Sequence, residues 1–190
     1  MSIQARRERE RAERERLIVT AARELAESEG WDAVTTRRLA TEIEYSQPVL
    51  YSHFKGKDAI MAAVAVEGFA DLAAELRRAR TSAAGPRQAL PDVGAAYAAF
   101  AERRPALYDA MFTRAVDLPF ASPETPRALR EGFGELREAV RPLVGDDDLE
   151  TLTETLWSGL HGLLTLMRNG RLRREDHERR LALLLSRFSR

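Results

Sequence analysis

The apolar residues of this chain recur at intervals of three and four and almost nowhere alternate, which confines the fold to helices. Leu17, Ile18, Ala21, Ala22 and Leu25 form one stripe of a 3.6-residue helix, and Ile60, Ala63 and Val64 form another. Leu181, Leu184, Leu185 and Phe188 fall at i, i+3, i+4 and i+7. Ala, Leu, Arg and Glu dominate, all good helix formers, and the β-branched runs of a strand are absent. The pattern predicts an all-α chain of about nine helices.

Turn chemistry sets the boundaries. Gly30 reads as the stop of a first helix. Thr35 or Thr36 caps a second, with Leu39, Ala40 and Ile43 as its buried side. Ser46 caps a short third helix ending near Ser52; Pro48 falls in its first turn, where a missing N–H costs little. After Lys55-Gly56 a long helix runs from Lys57 to about Ala79, and residues 81–86 read as a link. Further helices are expected near 87–103, 105–114, 124–141, 147–168 and 175–188. A boundary near residue 57 separates a three-helix head, 1–57, from a larger body, 58–190.

Charge narrows the partners. Lys plus Arg and Asp plus Glu number 30 each, and residues 1–57 hold 11 basic and 10 acidic side chains. A nucleic-acid surface must therefore be a focused patch. Residues 45–57, with Lys55 and Lys57 and no acid, supply one. With no cysteine, neither a disulfide framework nor a thiolate metal site is possible, as suits the reducing cytoplasm. Residues 6–16 alternate Arg and Glu, unlike a secretory signal, and stretches such as 59–66 and 160–167 are too short to span a membrane.

Two short helices joined by a three-residue turn, with a longer helix before them, form a helix-turn-helix pattern. Leu50 and Phe54 would anchor its second helix, leaving Gln47, Pro48, Val49 and Ser52 outward and Tyr51 at the edge. Gln can pair bidentately with adenine, and Pro and Val can touch a thymine methyl. Tyr51, His53 and Lys57 suit phosphates, and Arg37 suits a base edge or a phosphate. A capped helical corner without a nucleic-acid role has the same spacing. A helical ligand-binding or enzyme domain is the alternative reading.

The stretch closely resembles the head of the tetracycline-repressor (TetR) family of bacterial transcription regulators. The matching text is G-W-D-A-V-T-T-R-R-L-A (30–40) and Y-S-Q-P-V-L-Y-S-H-F-K-G-K-D-A-I (45–60). The resemblance implies that Gln47, Pro48 and Val49 face bases and that Thr36, Tyr51, His53 and Lys57 hold phosphates. It places Arg37 at the groove edge. Glu44-Tyr45 departs from the family's glycine and small aliphatic residue at the turn. The function implied is a homodimeric repressor on a palindromic double-stranded operator, released by a small-molecule effector.

In the body, Leu156–Met167 resembles the Trp-His-Gly signature of one subgroup's C-terminal domain. This helix looks apolar on nearly all sides and so buried all round. With the last helix it could form a four-helix dimer interface, or both stripes could belong to the monomer core. Tyr97, Phe100, Tyr108, Phe112, Trp157 and His161 are candidate ligand contacts, with core packing the alternative for each. Residues 54–58 lack the glycine and Ser/Thr of a phosphate loop. His53, His161 and His177 never fall at i, i+4, and His177 sits among charges and is expected in solvent. Asp146–Asp148 suit the start of a helix. No catalytic set, cofactor or metal is expected.

Overall fold

The computed structural model describes residues 2–114, 116 and 118–188. Among them are α1 (Ile3–Glu29), α2 (Thr36–Glu42), α3 (Gln47–His53), α4 (Lys57–Ser82), α5 (Pro86–Arg103), α6 (Pro105–Phe112), α7 (Arg127–Val140), α8 (Leu149–Arg168) and α9 (His177–Phe188). Single 3₁₀ turns follow α7 and precede α9. The described residues contain no strand. The all-α expectation and the helix count hold, with ends displaced by a few residues. Helix α1 starts at Ile3, and α4 runs to Ser82, into the expected link.

The chain divides into two compact units. The first, Met1–Gly68 with Arg104–Thr125, contains the expected head together with the start of α4 and all of α6. Its core includes Ile18, Val19, Ala22, Leu25, Leu39, Leu50, Ile60 and Val64, all buried. Ile43, expected inside, is only half-buried, because it lies past the last turn of α2 as its C-cap. Thr35 is the residue that caps α2: its hydroxyl accepts from the Arg38 N–H at 3.1 Å, a bond of a type worth about 1 kcal/mol.

Helix α6 is held in this unit at two places. The Glu27 carboxylate accepts from the Ala106 N–H at 3.1 Å and the Leu107 N–H at 2.9 Å. These are donors that a helix start leaves unpaired, and the negative charge also suits the positive end of the helix dipole. Further along, Gly68 meets α6 so closely that a Cβ there would lie 2.7 Å from the side chains of Leu107 and Met111.

The second unit, Phe69–Arg103 with Pro126–Arg190, packs the rest of α4 with α5, α7, α8 and α9. Glu135 on α7 is buried and receives Arg77 at 2.7 Å and Arg80 at 2.8 Å. Two guanidinium groups compensate the desolvation of one carboxylate, so removing either would leave buried charge underpaired. At α9, a Cβ on Gly94 would lie 2.7 Å from Leu185, and one on Gly159 would lie 2.9 Å from Leu184. Small residues therefore set how near α5 and α8 approach α9.

Two expectations for this unit are corrected. Helix α8 is not enclosed on all sides within the protomer. Leu156, Leu160, Leu164 and Met167 form one buried stripe, while Ser158 and Leu166 are exposed, the latter by 46%. The polar residues between the leucines break the apolar circumference. His177 is buried rather than solvated, and its Nε2 has no hydrogen-bond partner among the described residues. Its charged sequence neighbours point elsewhere, because adjacent positions on a helix do not face each other.

Candidate nucleic-acid interface

Helix α3 presents two faces. Leu50, 1% exposed, fixes it to the core, and Phe54 follows half-buried. Gln47, Pro48, Val49, Tyr51 and Ser52 are exposed, with Val49 at 37% and Tyr51 at 53%. Pro48 lies within the first turn, as its ring requires. Ser46 has the extended backbone of an N-cap, but its hydroxyl makes no capping bond.

The turn into α3 closes despite lacking glycine. Glu44 adopts φ +57°, in the left-handed region. The Tyr45 N–H donates to the Ala40 carbonyl at 2.8 Å, and the Glu44 N–H to the Thr41 carbonyl at 3.3 Å. This bond pair is the Schellman stop that normally takes glycine at the Glu44 position. The departure at Glu44-Tyr45 changes the strain of the turn and leaves its hydrogen bonding intact.

The residues expected at phosphates divide into two groups. Thr36 is half-buried at the start of α2, and its hydroxyl lies 3.3 Å from the Tyr51 hydroxyl. Arg37 beside it is exposed. The hydroxyl contact brings the start of α2, where Arg37 stands exposed, to the outer face of α3. His53 and Lys57 are engaged inside the unit. The His53 side chain is only 7% exposed, with Nδ1 3.4 Å from a Glu15 carboxylate oxygen. Arg11, donating to Glu15 at 2.9 Å, holds that carboxyl below the usual range, with His53 adding to the effect. The Lys57 ammonium donates to the main-chain carbonyl of Trp31. The sequence carried no signal for either contact, since the partners lie 38 and 26 positions apart.

The six residues considered for a ligand do not fall in one unit. Tyr108 and Phe112 lie in the first, with ring centroids 4.7 Å apart. Tyr97, Phe100, Trp157 and His161 lie in the second. Tyr97 and Phe100 are buried, and the Trp157 indole N–H donates to the Tyr97 hydroxyl at 3.1 Å. Half-buried His161 lies on the next turn of α8, its ring 6.4 Å from that of Trp157. Burial, then the charge of Arg168, lowers its basicity. An open depression of about 910 Å³ in this unit, lined by residues 84–88 and by Pro142, Leu143 and Gly145, includes none of the six. Among the described residues no group of three His, Asp or Glu could hold a metal ion, and no helix is long and apolar enough to cross a membrane.

Residues 18–64 match the model of bacterial regulatory proteins of the tetR family, and residues 90–188 match a tetracyclin repressor-like C-terminal domain. The chain is 32% identical over 155 residues to Rv0681 of Mycobacterium tuberculosis, described as an HTH-type transcriptional regulator. That match covers 80% of this chain and 69% of the relative. A Rhodococcus sp. RHA1 protein of unknown function superposes with a TM-score of 0.77 at 24% identity, covering 92% of this chain and 93% of that one. BioQ, solved with its natural double-stranded DNA operator, superposes with a TM-score of 0.66 at 23% identity, covering 92% and 97%.

Proposed function

The chain belongs to the tetR family of bacterial DNA-binding transcription regulators, and from that premise we propose a homodimeric repressor, released from a palindromic operator by a small-molecule ligand. The observation that carries the DNA-contact reading is the outer face of α3. Gln47, Pro48 and Val49 stand exposed on a helix fixed from behind by Leu50. Exposed apolar Val49 and Pro48 suit thymine methyls, and the Gln47 amide suits adenine. Arg37, Thr36 and Tyr51 border that face and suit phosphates or a base edge. His53 and Lys57 add phosphate contacts only through what remains of their donors beyond Glu15 and Trp31.

The exposed side of α8 and α9 supports the dimer. Leu166 and Leu183 are 46% and 55% exposed, and a Cβ on Gly162 would meet nothing within 4 Å. A second copy crossing there would cover these residues and use the close approach that Gly162 permits. Two recognition helices would then read half-sites about 34–36 Å apart. In the second unit, Tyr97, Phe100, Trp157 and His161 combine apolar surface with a few polar atoms, as ligand sites do. A ligand that turns 1:99 into 99:1 must prefer the non-DNA form by about 5.5 kcal/mol. The protein would act in the bacterial cytoplasm, where its operator lies.

Duplex binding tests this reading. Affinity should fall by several log units per log unit of salt as phosphates regain their counterions. Absence of salt-sensitive binding to every genomic fragment at low ionic strength would end it.

A further inference from the structure

Helix α1 does not stop where its packing stops. Its buried residues are Ile18, Val19, Ala21, Ala22, Leu25 and Ala26. From residue 3 to residue 17 no side chain is buried, yet the backbone stays helical. Ser2 caps this extension, accepting from the Ala5 N–H at 3.2 Å. Arg6–Glu10 and Arg11–Glu15 pairs at i, i+4 support it.

The extension carries six arginines and four glutamates, and their placement is not random. Leu25, Ile18, Arg14, Arg11 and Arg7 follow one another at spacings of seven, four, three and four, so they share one face. The face that is apolar where α1 packs becomes arginine where α1 runs free. Glu8 and Glu13 lie off this line, and Glu10, one turn before Arg14, borders it while pairing with Arg6. Glu15 borders it and is already shared between Arg11 and His53 at the end of α3. The side chains of Arg7 and Arg14 make no hydrogen bond or ion pair among the described residues.

We propose that the Arg7–Arg11–Arg14 face grips the phosphate backbone of double-stranded DNA flanking the site that α3 reads. The inference rests on the DNA-binding reading above and adds a contact surface to it. Charge complementarity selects the occupant. A membrane-surface helix or a helix-docking surface needs an apolar face, and residues 3–16 offer only Ile3 and two alanines, with no apolar stripe. The Glu15–His53 contact ties the base of the extension to α3. From there residues 3–14 reach about 17 Å, the rise of about five base pairs. Phosphate contacts of this kind lengthen the footprint without reading sequence.

The test uses the full chain and a 40-base-pair duplex of mixed sequence, with the slope of log affinity against log salt as readout. Replacing Arg7, Arg11 and Arg14 together by Gln should lower the slope by about 2–3, at about 0.9 per phosphate. Replacing Arg6, Arg9 and Arg16 removes the same charge from other faces and should change it much less. The triple Lys version of the first set keeps the charge and should keep the slope, while thermal unfolding checks that the core is unaltered. Equal losses in the two Gln triples would overturn the inference in favour of bulk charge. An unchanged slope in a chain that still binds duplex would overturn it and leave the functional reading standing. If the first triple abolishes self-association while its slope stays the same, the face is a contact between copies and the inference fails. A wild-type chain that binds no duplex would sink both.

Discussion

The indole N–H of Trp31 donates to the main-chain carbonyl of Ala106 at 2.7 Å, 75 residues further along the chain. The carbonyl of Trp31 itself receives the Lys57 ammonium. One buried residue thus joins the α1–α2 loop, the start of α4 and the start of α6.

Lys57→Ala should therefore have two effects. Losing the bond to Trp31 should lower the unfolding free energy by about 1 kcal/mol. Losing the cation should weaken all duplex sequences alike. Chemical denaturation and binding to unrelated duplexes measure the two separately. Reduced affinity with unaltered stability would mean that the Trp31 contact contributes nothing.

Gln47→Ala should relax the preference at one operator base pair by about 1–3 kcal/mol and leave the remaining positions unchanged. Selection of bound fragments with both proteins reads this directly. A uniform loss across positions would remove Gln47 from the base-reading set.

Glu44→Gly should stabilise the chain by up to about 1 kcal/mol. Glycine removes the Cβ cost of the left-handed conformation, offset partly by greater freedom in the unfolded state. A higher melting temperature with unchanged duplex binding is the expected result. A lower one would mean that the Glu44 side chain makes a compensating contact.

Much of this was legible in the sequence because it is local. Caps, stops and the outward residues of α3 follow from spacing within a few turns. The Glu27, Trp31 and Glu135 contacts were not, since their partners stand 55–80 positions away and no periodicity links them. Exposure on α8 was misjudged because composition counted its leucines without weighing Ser158 and the other polar residues between them. His53 and Lys57 read as polar side chains suited to phosphates, but nothing nearby announced Glu15 and Trp31.

Gly159→Leu and Gly162→Leu should part company. At 159 the new side chain would collide with Leu184, so the fold itself should lose stability. At 162 it meets open space within the protomer. There the variant should stay folded and dissociate to monomers if a second copy packs on this face. Sedimentation combined with thermal unfolding distinguishes the cases, and a dimeric Gly162→Leu variant would move the interface elsewhere.

His161 should make the second unit sensitive to mild acid. Its folded-state basicity lies below the ordinary histidine value of 6.5, through burial and then Arg168. Between the lowered value and 6.5 the unfolded chain binds more protons, so stability rises with pH there. The His161 contribution is present above about pH 6.5 and is lost as pH falls through the folded value. His161→Gln should flatten the difference in stability between pH 7.5 and pH 5.5. A variant that retains the full difference would assign it to other groups.

The discontinuous first unit also decides what could be transplanted. A head cut at residue 57 and fused to a foreign body would carry Glu27 and Trp31 without Ala106 and Leu107. Its buried indole N–H and its carboxylate would lose their main-chain partners. The exchangeable cassette is two pieces of chain, one to Gly68 and one containing α6. Chimeras respecting that seam should keep their operator specificity, whereas those joined at residue 57 should express as unstable hybrids.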